Sequence, residues 1–450
     1  MATINVVQSC LVPMTGARLR PRPPPPEVPK TMELTPWDLI NLLYESNRAG
    51  ILFDERPNQE FIDRLKNSLA RTLDFFPPLS GRLGAVTHVD DGAKSYFIDC
   101  NDAGAEFTHA VARGVSVANL VEPEYMPRKV LASFFPEKET PSCEELWKPL
   151  AAVQVTELDD GFFVSCAINH VVADAISFWH FFHSWSELAR GFDTISKPPV
   201  FDRWLPSNFG DEINHPIRIP PFDQNPTANA TPPPPLLERV FHFSKESLAE
   251  LKNKANSKSG CDEKMKISTF QALSAHLWRG VVRARHSESI THVKEPQSFI
   301  LLVDARSRIP LPDGYFGNAV HRDAIEVTEH EILQNGLEFV AAKINELVGR
   351  QTREAIIKSV EDWIEKPVIP SKGSVKFLIT GSPRFFDIRS CDFGCGKSVA
   401  SMTGGRQKFD GKVTILPAAQ DGSVDVEVCL SPETMIAMED DVELMGAVTI

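Results

Sequence analysis

The sequence predicts a mixed α/β protein of two domains, and three observations support this prediction. The chain has 450 residues, more than one hydrophobic core ordinarily holds, so two domains of roughly 200 residues are expected. Segments with the two-residue period of strands alternate with segments of helical period, without a glycine-rich dinucleotide fingerprint. A proline-rich stretch divides the chain near its middle. The predicted boundaries are 1–197 for the first domain, 198–236 for a crossover loop and 237–450 for the second domain.

Composition and charge narrow the class of protein. Hydrophobic residues make up 42% of the chain and charged residues 24%, as in an ordinary globular protein. The net charge of -13 argues against nucleic acid or an anionic membrane as a partner. No stretch approaches the ~18 consecutive apolar residues of a membrane span, and the N-terminus lacks the pattern of a secretory signal. The expected location is the cytoplasm.

The eight cysteines are scattered, and only Cys391 and Cys395 lie close together. No paired CxxC sequences are present to bind zinc, so no metal site is predicted. The cysteines are expected to be reduced thiols.

In the first half, strands and helices alternate. The spacing of Leu65, Leu69 and Leu73 predicts a helix over residues 61–73, and the Thr35–Pro36 pair predicts a helix that extends past Leu43. The predicted strands lie near the N-terminus, at 95–100, at 105–111, and at 150–157 and 161–168, which form a hairpin.

The second half shows the same alternation. Strands are predicted at 239–243, 298–304, 375–381 and 424–430. Helices are predicted from Ser244 to Lys254, from Ile267 past Val281, over 331–348 and over 354–363. Ser268 or Thr269 can cap the second of these helices.

Residues 162–174 form the most informative stretch. A buried apolar run ends at His170, and Asp174 follows four residues later, where it can cap a helix that stops at Gly191. That helix has one apolar face, formed by Phe178, Phe181, Phe182, Trp185, Leu188 and Ala189. His170 is therefore expected at a strand end, where it can present a base to a cavity. The spacing alone is weak evidence, because with 12 histidines it has about even odds of occurring by chance.

Arg306 and Arg308 are the predicted partners of Asp174. A buried carboxylate requires a countercharge or several N–H donors, and these arginines directly follow a predicted buried strand. Asp174 is then an architectural residue that does not polarise His170.

Residues 396–398 resemble the end of a phosphate-binding loop. The position five before Gly396 is Cys391 and not glycine, so the sequence does not support a nucleotide triphosphatase. The two glycines, Gly394 and Gly396, instead predict a tight structural turn.

Two motifs carry a family resemblance. Residues 170–174 and 392–397 resemble the HxxxD and DFGWG motifs of plant BAHD acyltransferases. Other segments that are similar to this family are 78–82, 268–279, 315–318, 409–412 and 430–433. Because the resemblance covers nearly the whole chain in order, the sequence is identified as a member of that family.

The resemblance implies a monomer with two domains related to chloramphenicol acetyltransferase and a solvent channel between them. Acyl-CoA, as co-substrate, enters from one face and an alcohol or amine from the other, and no tightly bound cofactor is implied. His170 matches the general base, and Asp174 matches a structural aspartate paired with Arg306. Asp392, Gly394 and Gly396 match a turn that supports the fold and the CoA side. Ser268 and Thr269, at a helix N-terminus, are expected to contact CoA phosphates.

Three positions depart from the family pattern. Ala175 replaces a frequent glycine, Cys395 replaces the tryptophan of DFGWG, and residues 382–384 replace a segment that carries a tryptophan. The last departure counts against hydroxycinnamoyl transfer to shikimate or quinate. The leading hypothesis is an acyl-CoA-dependent O- or N-acyltransferase of plant specialised metabolism. Two alternatives stay open: a lyase that acts on a conjugate without CoA, and a non-catalytic binding protein.

Overall fold

The computed structural model describes the chain with eleven internal or terminal gaps in its first 397 residues and three after them. The described ranges are 3–16, 30–122, 124–136, 140–206, 216–222, 235–257, 266–287, 296–370, 376–381, 390–396, 398–404, 408–418 and 420–449. Residues 382–384 and much of the crossover segment 198–236 lie outside these ranges.

The described residues form fifteen strands and twelve α-helices. The strands are β1 (Thr3–Val12), β2 (Thr31–Glu33), β3 (Asn47–Phe53), β4 (Arg82–Thr87), β5 (Lys94–Asp99), β6 (Ala105–Arg113), β7 (Ala151–Glu157), β8 (Phe162–Ile168), β9 (Leu237–Phe243), β10 (Pro296–Asp304), β11 (Val320–Thr328), β12 (Leu378–Thr380), β13 (Ser398–Thr403), β14 (Lys412–Pro417) and β15 (Val424–Leu430). The helices are α1 (Pro36–Leu39), α2 (Gln59–Leu73), α3 (Ala118–Val121), α4 (Arg128–Ala132), α5 (Ala175–Ala189), α6 (Lys245–Ala255), α7 (Thr269–Ser287), α8 (Glu329–Gln334), α9 (Leu337–Gly349), α10 (Arg353–Glu365), α11 (Pro432–Glu439) and α12 (Val442–Met445).

Two six-stranded mixed sheets organise these elements. The first has the order β1-β6-β7-β8-β3-β13 and the second the order β11-β10-β12-β14-β15-β9. β7 and β8 pair antiparallel, as the predicted hairpin requires. Strand β13 comes from the second half of the sequence but pairs with β3, which ties the second half to the first sheet. The fold is therefore α/β with two domains.

Side-chain alternation gives the second sheet two different faces. Val413 and Val426 pack with helices α7 and α9 in one hydrophobic core. Their neighbours Lys412 and Glu427 must point to the opposite side of the sheet. Glu427 accepts a hydrogen bond there from the backbone N–H of Thr403 in β13, at 3.0 Å. This polar face is thus turned toward the first sheet.

Most predicted elements are confirmed, but two predicted helices are wrong in extent. The helix at Thr35–Pro36 does not pass Leu43, because α1 ends at Leu39 and turns follow it. The helix predicted over 331–348 is divided into α8 and α9. Asn335 and Gly336 adopt extended backbones there, so the helical hydrogen-bond pattern is interrupted between α8 and α9.

Membrane insertion receives no support from the helices. Within the ranges that the structure describes, none is both long and apolar enough to cross a bilayer.

Phe393 anchors the second motif in the first core. Its ring centroid lies 5.0 Å from that of Trp185 and 5.5 Å from that of Phe182, both in α5, and 6.1 Å from that of Phe53. The side chain is fully buried. The turn at residues 392–396 belongs to the second half of the sequence, but through Phe393 it stabilises the core formed by the first half.

We expect Phe393→Ala to lower the free energy of unfolding by about 3–5 kcal/mol, because a fully buried aromatic ring is replaced by a cavity. Urea unfolding followed by fluorescence measures the change. The matched control is Phe192→Ala, since Phe192 is 54% exposed and should change stability far less. Equal losses in both variants would contradict the anchoring role.

Candidate active site

His170 lies in a tight turn between β8 and α5. The Asn169 side chain accepts a hydrogen bond from the Val171 N–H at 3.1 Å, and the Val172 N–H donates to the Asn169 carbonyl at 3.0 Å. These local hydrogen bonds follow the end of β8 and form the turn that carries His170. The imidazole packs beside the ring of Tyr44, at a centroid separation of 5.9 Å.

The imidazole of His170 is held in its neutral form. Its Nδ1 atom is buried and has no hydrogen-bond partner among the described residues. Burial lowers the pKa of His170 below its ordinary value, because the charged form loses hydration, and a backbone hydrogen bond and the charge of Asp174 oppose this shift only in part. A neutral imidazole can accept a proton at neutral pH.

Asp174 is saturated by donors from three parts of the chain. Its Oδ1 accepts from the Ser177 N–H at 3.0 Å, which caps α5 as predicted. Arg306 donates to both carboxylate oxygens, at 2.8 and 3.0 Å. The Ala319 N–H donates to Oδ2 at 3.0 Å. The carboxylate is 2% exposed, so these bonds replace its lost hydration.

Of the two arginines predicted to pair with Asp174, Arg306 forms the ion pair and Arg308 does not. Although burial opposes the charge of Arg306, the carboxylates of Asp174 and Asp304 raise its pKa above the ordinary value. Arg308 instead donates to the Asp304 carbonyl at 3.3 Å. The prediction that either arginine could pair with Asp174 is therefore resolved in favour of the first.

Sequence reasoning assigned no role to Asn318, which holds the main chain of His170. The Asn318 amide donates to the His170 carbonyl at 2.8 Å and to Asp38 Oδ1 at 2.9 Å. Asp38 also caps its own short helix through Thr35 and lies 3.7 Å from Arg203. Asn318 is the last residue of the segment 315–318, which is similar to the family, and this similarity was the one signal in the sequence that pointed to it.

The predicted turn at residues 392–396 lies at the far end of α5. Asp392 Oδ1 accepts from the Gly394 N–H at 2.7 Å, and Arg190, just after α5, is 4.0 Å from Asp392. Gly394 and Gly396 have φ values of +82° and +94°, which favour glycine. Because α5 has 15 residues, roughly 22 Å of helix separates this turn from Asp174. The turn therefore packs on the first core through Phe393 and lies at the opposite end of α5 from Asp174.

Cys395, at the tryptophan position of the motif, is partly buried against the first core. Burial raises the pKa of its thiol to about 12, so the group is neutral and poorly nucleophilic at neutral pH.

Ser268 and Thr269 begin helix α7, as predicted. Ser268 Oγ accepts a hydrogen bond from the Gln271 N–H at 3.3 Å, and the Ser268 N–H donates to Gln271 Oε1 at 2.7 Å. Two backbone N–H groups at the start of this helix, those of Ser268 and Gln271, are therefore already bonded within the protein. The exposed hydroxyl of Ser268 can still donate one hydrogen bond.

Comparisons with known proteins identify the family of this chain. Residues 17–445 match the model of the Transferase family. The chain is 33% identical to an uncharacterized acetyltransferase of Arabidopsis thaliana, over 99% of both chains. It is 32% identical to the BAHD acyltransferase DCR of Arabidopsis thaliana, over 90% of this chain and 86% of the relative.

The fold is also similar to that of a solved structure. F. sporotrichioides TRI101, complexed with coenzyme A and T-2, matches with a TM-score of 0.70 and 17% identity, over 93% of this chain and 99% of that one. The fold is thus the two-domain architecture related to chloramphenicol acetyltransferase. The chain belongs to the BAHD acyltransferase family.

We expect Asp174→Asn to lower the free energy of unfolding by about 3–5 kcal/mol, because Arg306 loses a buried bidentate partner. Urea unfolding measures the loss, and Asp193→Asn is the control, since Asp193 is exposed and 4.0 Å from Arg71. Unchanged unfolding together with lost activity would contradict the structural role of Asp174.

Proposed function

We propose that the protein transfers an acyl group from acyl-CoA to a hydroxyl or amine of a small plant metabolite, with His170 as general base. The observation that carries this proposal is a neutral imidazole at a strand end, held by its main chain, with no carboxylate bonded to its ring. Membership of an acyltransferase family supports the reaction class. The coenzyme A complex of TRI101 supports the donor.

The proposed reaction needs only one proton-transfer residue. The imidazole of His170 accepts the proton of the acceptor O–H or N–H while the acceptor atom attacks the thioester carbonyl. The tetrahedral intermediate then expels CoA thiolate, which takes the proton back from the imidazolium. Because each step uses the same proton, the side chain returns to its neutral state without a second base.

Asp174 and Arg306 act as positioning residues in this proposal. Both oxygens of Asp174 are used by Arg306, Ser177 and Ala319, so the carboxylate aligns α5 with the segment after β10. Ser268 and Thr269 are proposed contacts for CoA phosphates, with Asp392, Gly394 and Gly396 as structural support. We further propose a cytoplasmic monomer that binds no cofactor tightly, with the boundaries 1–197, 198–236 and 237–450.

We expect His170→Ala to lower kcat by roughly 10²–10⁴-fold while the fold stays intact, because the general base is removed. Mass spectrometry of products from wild-type protein, acyl-CoAs and a plant metabolite extract identifies an acceptor, and circular dichroism checks the fold. His330→Ala is the control, since His330 is an exposed residue of α8.

Two results would contradict acyl transfer. One is a His170→Ala variant with normal kcat. The other is a wild-type protein that forms no CoA-dependent product but consumes a single conjugate, which would favour the lyase.

We expect kcat/KM for an alcohol acceptor to stay constant near pH 7 and to fall only below about pH 6.5. The reason is that burial lowers the pKa of His170, so its protonation, which removes the base, begins at more acid pH than for a free imidazole. A pH–rate profile, limited to the range in which circular dichroism is unchanged, measures this limb. A limb centred above pH 7 would contradict the proposal.

A further inference from the structure

Residues 197–204, called the docked segment below, lie along residues 313–318 of the second half of the chain. The Val200 N–H donates to the Gly314 carbonyl at 2.9 Å, and the Phe316 N–H donates to the Val200 carbonyl at 2.8 Å. Two backbone hydrogen bonds of this kind pair the segments as short parallel strands. The start of the predicted crossover loop is therefore attached to the stretch that ends at Asn318.

Aromatic rings hold the docked segment on two sides. The ring of Trp204 stacks on that of Trp37 in α1, with a centroid separation of 5.2 Å and an interplanar angle of 15°. The ring of Phe201 packs against that of Phe316, at a centroid separation of 5.7 Å. The docked segment thus contacts α1 and residues 313–318 at the same time.

Arg203 lies between these two contacts and bonds to both sides. Its Nη1 donates to the Phe316 carbonyl at 3.2 Å and is 3.7 Å from the Asp38 carboxylate. The Arg203 side chain is 11% exposed and that of Asp38 is fully buried. A Cβ atom at Gly317 would collide with the Arg203 guanidinium, so this close approach requires glycine there.

Asp38 connects Arg203 to the main chain of the proposed base. Its Oδ1 accepts from the Asn318 N–H at 3.1 Å and from the Asn318 side-chain amide at 2.9 Å. The same amide donates to the His170 carbonyl at 2.8 Å. Arg203, Asp38, Asn318 and His170 therefore form one continuous chain of contacts.

The charge of Arg203 keeps this chain of contacts in place. Among the described residues, Arg203 is the one cation within 4.0 Å of the Asp38 carboxylate. Without it, Asp38 would be a buried carboxylate with no countercharge, which is costly enough to draw in water or a proton. Either change weakens the acceptor that orients the Asn318 amide.

We infer that Arg203 is a positioning residue for His170, acting from the crossover segment through Asp38 and Asn318. The inference rests on the proposed function in taking His170 as the base, and it adds the element that fixes the position of that base. Preorganisation of this kind matters because small displacements of a reacting group cost large factors in rate.

The first test measures hydrogen–deuterium exchange by mass spectrometry in wild type, Arg203→Met and Arg203→Lys, and needs no substrate. In Arg203→Met we expect residues 169–174 to exchange roughly 10- to 100-fold faster, because a charged contact that holds their turn is lost. Strand β8 should keep its exchange rate. Arg203→Lys should restore part of the protection, since it returns the charge beside Asp38.

The control is Arg218→Met, in the same predicted crossover loop, whose pair with the exposed Asp90 at 2.7 Å lies on the surface. It should leave residues 169–174 unchanged. Wild-type exchange at 169–174 in Arg203→Met would overturn the inference. An equal acceleration of β8 would overturn it too, because the effect would then be global. If Arg203→Met does not fold, the same comparison is made between Arg203→Lys and wild type.

The second test uses an acceptor identified with wild-type protein. In Arg203→Met we expect kcat to fall roughly 10- to 100-fold with little change in KM for acyl-CoA or acceptor, because the base is displaced and binding is not. In an Asn318→Ala background the same substitution should lower kcat much less, since both residues act through one contact.

Two kinetic results would overturn the positioning role. One is a rise in KM with normal kcat in Arg203→Met, and the other is full additivity of the Arg203 and Asn318 substitutions. A wild-type protein without any acyl-transfer product would contradict the proposed function instead, and the exchange experiment would then decide alone whether Arg203 holds the turn of His170.

Discussion

The structure depends on the buried ion pair between Asp174 and Arg306. It joins the start of α5 in the first domain to the segment that follows β10 in the second, across 132 positions of sequence. A single remaining partner would be an uncompensated buried charge, which makes such a pair expensive to break even where its net stabilisation is small. The pair therefore fixes the start of α5 relative to the segment after β10, close to the proposed base.

The same pair explains how the work is divided between two residues that are close in sequence. The oxygens of Asp174 accept hydrogen bonds from Arg306, Ser177 and Ala319, so the carboxylate acts on the imidazole only through its charge, which opposes the larger effect of burial on the pKa of His170. His170 is positioned through its carbonyl, by Asn318. Its ring is thus neutral and can accept a proton. In the proposed reaction, this histidine–aspartate spacing provides one residue for chemistry, His170, and one for architecture, Asp174.

Local signals explain why much of the fold could be predicted. The apolar stripe of α5, the Asp174 cap and the hairpin of β7 and β8 depend on residues within a few positions of one another. The prediction failed where the chain leaves the helical conformation within a long apolar period, as at Asn335, whose backbone is extended between α8 and α9. It also failed beyond Leu39, where a capping box stabilises only one helical turn.

The sequence by itself determined the strand-end histidine, the helix-capping aspartate and the glycine turn, because each is specified by neighbouring residues. Only the tertiary structure decided which arginine pairs with Asp174 and that Asn318 holds His170. It also decided that Phe393 packs into the core of the first domain. These contacts join residues that are far apart in sequence, as between Phe53 and Phe393. Their partners are selected by strand order and domain packing, which no local period encodes.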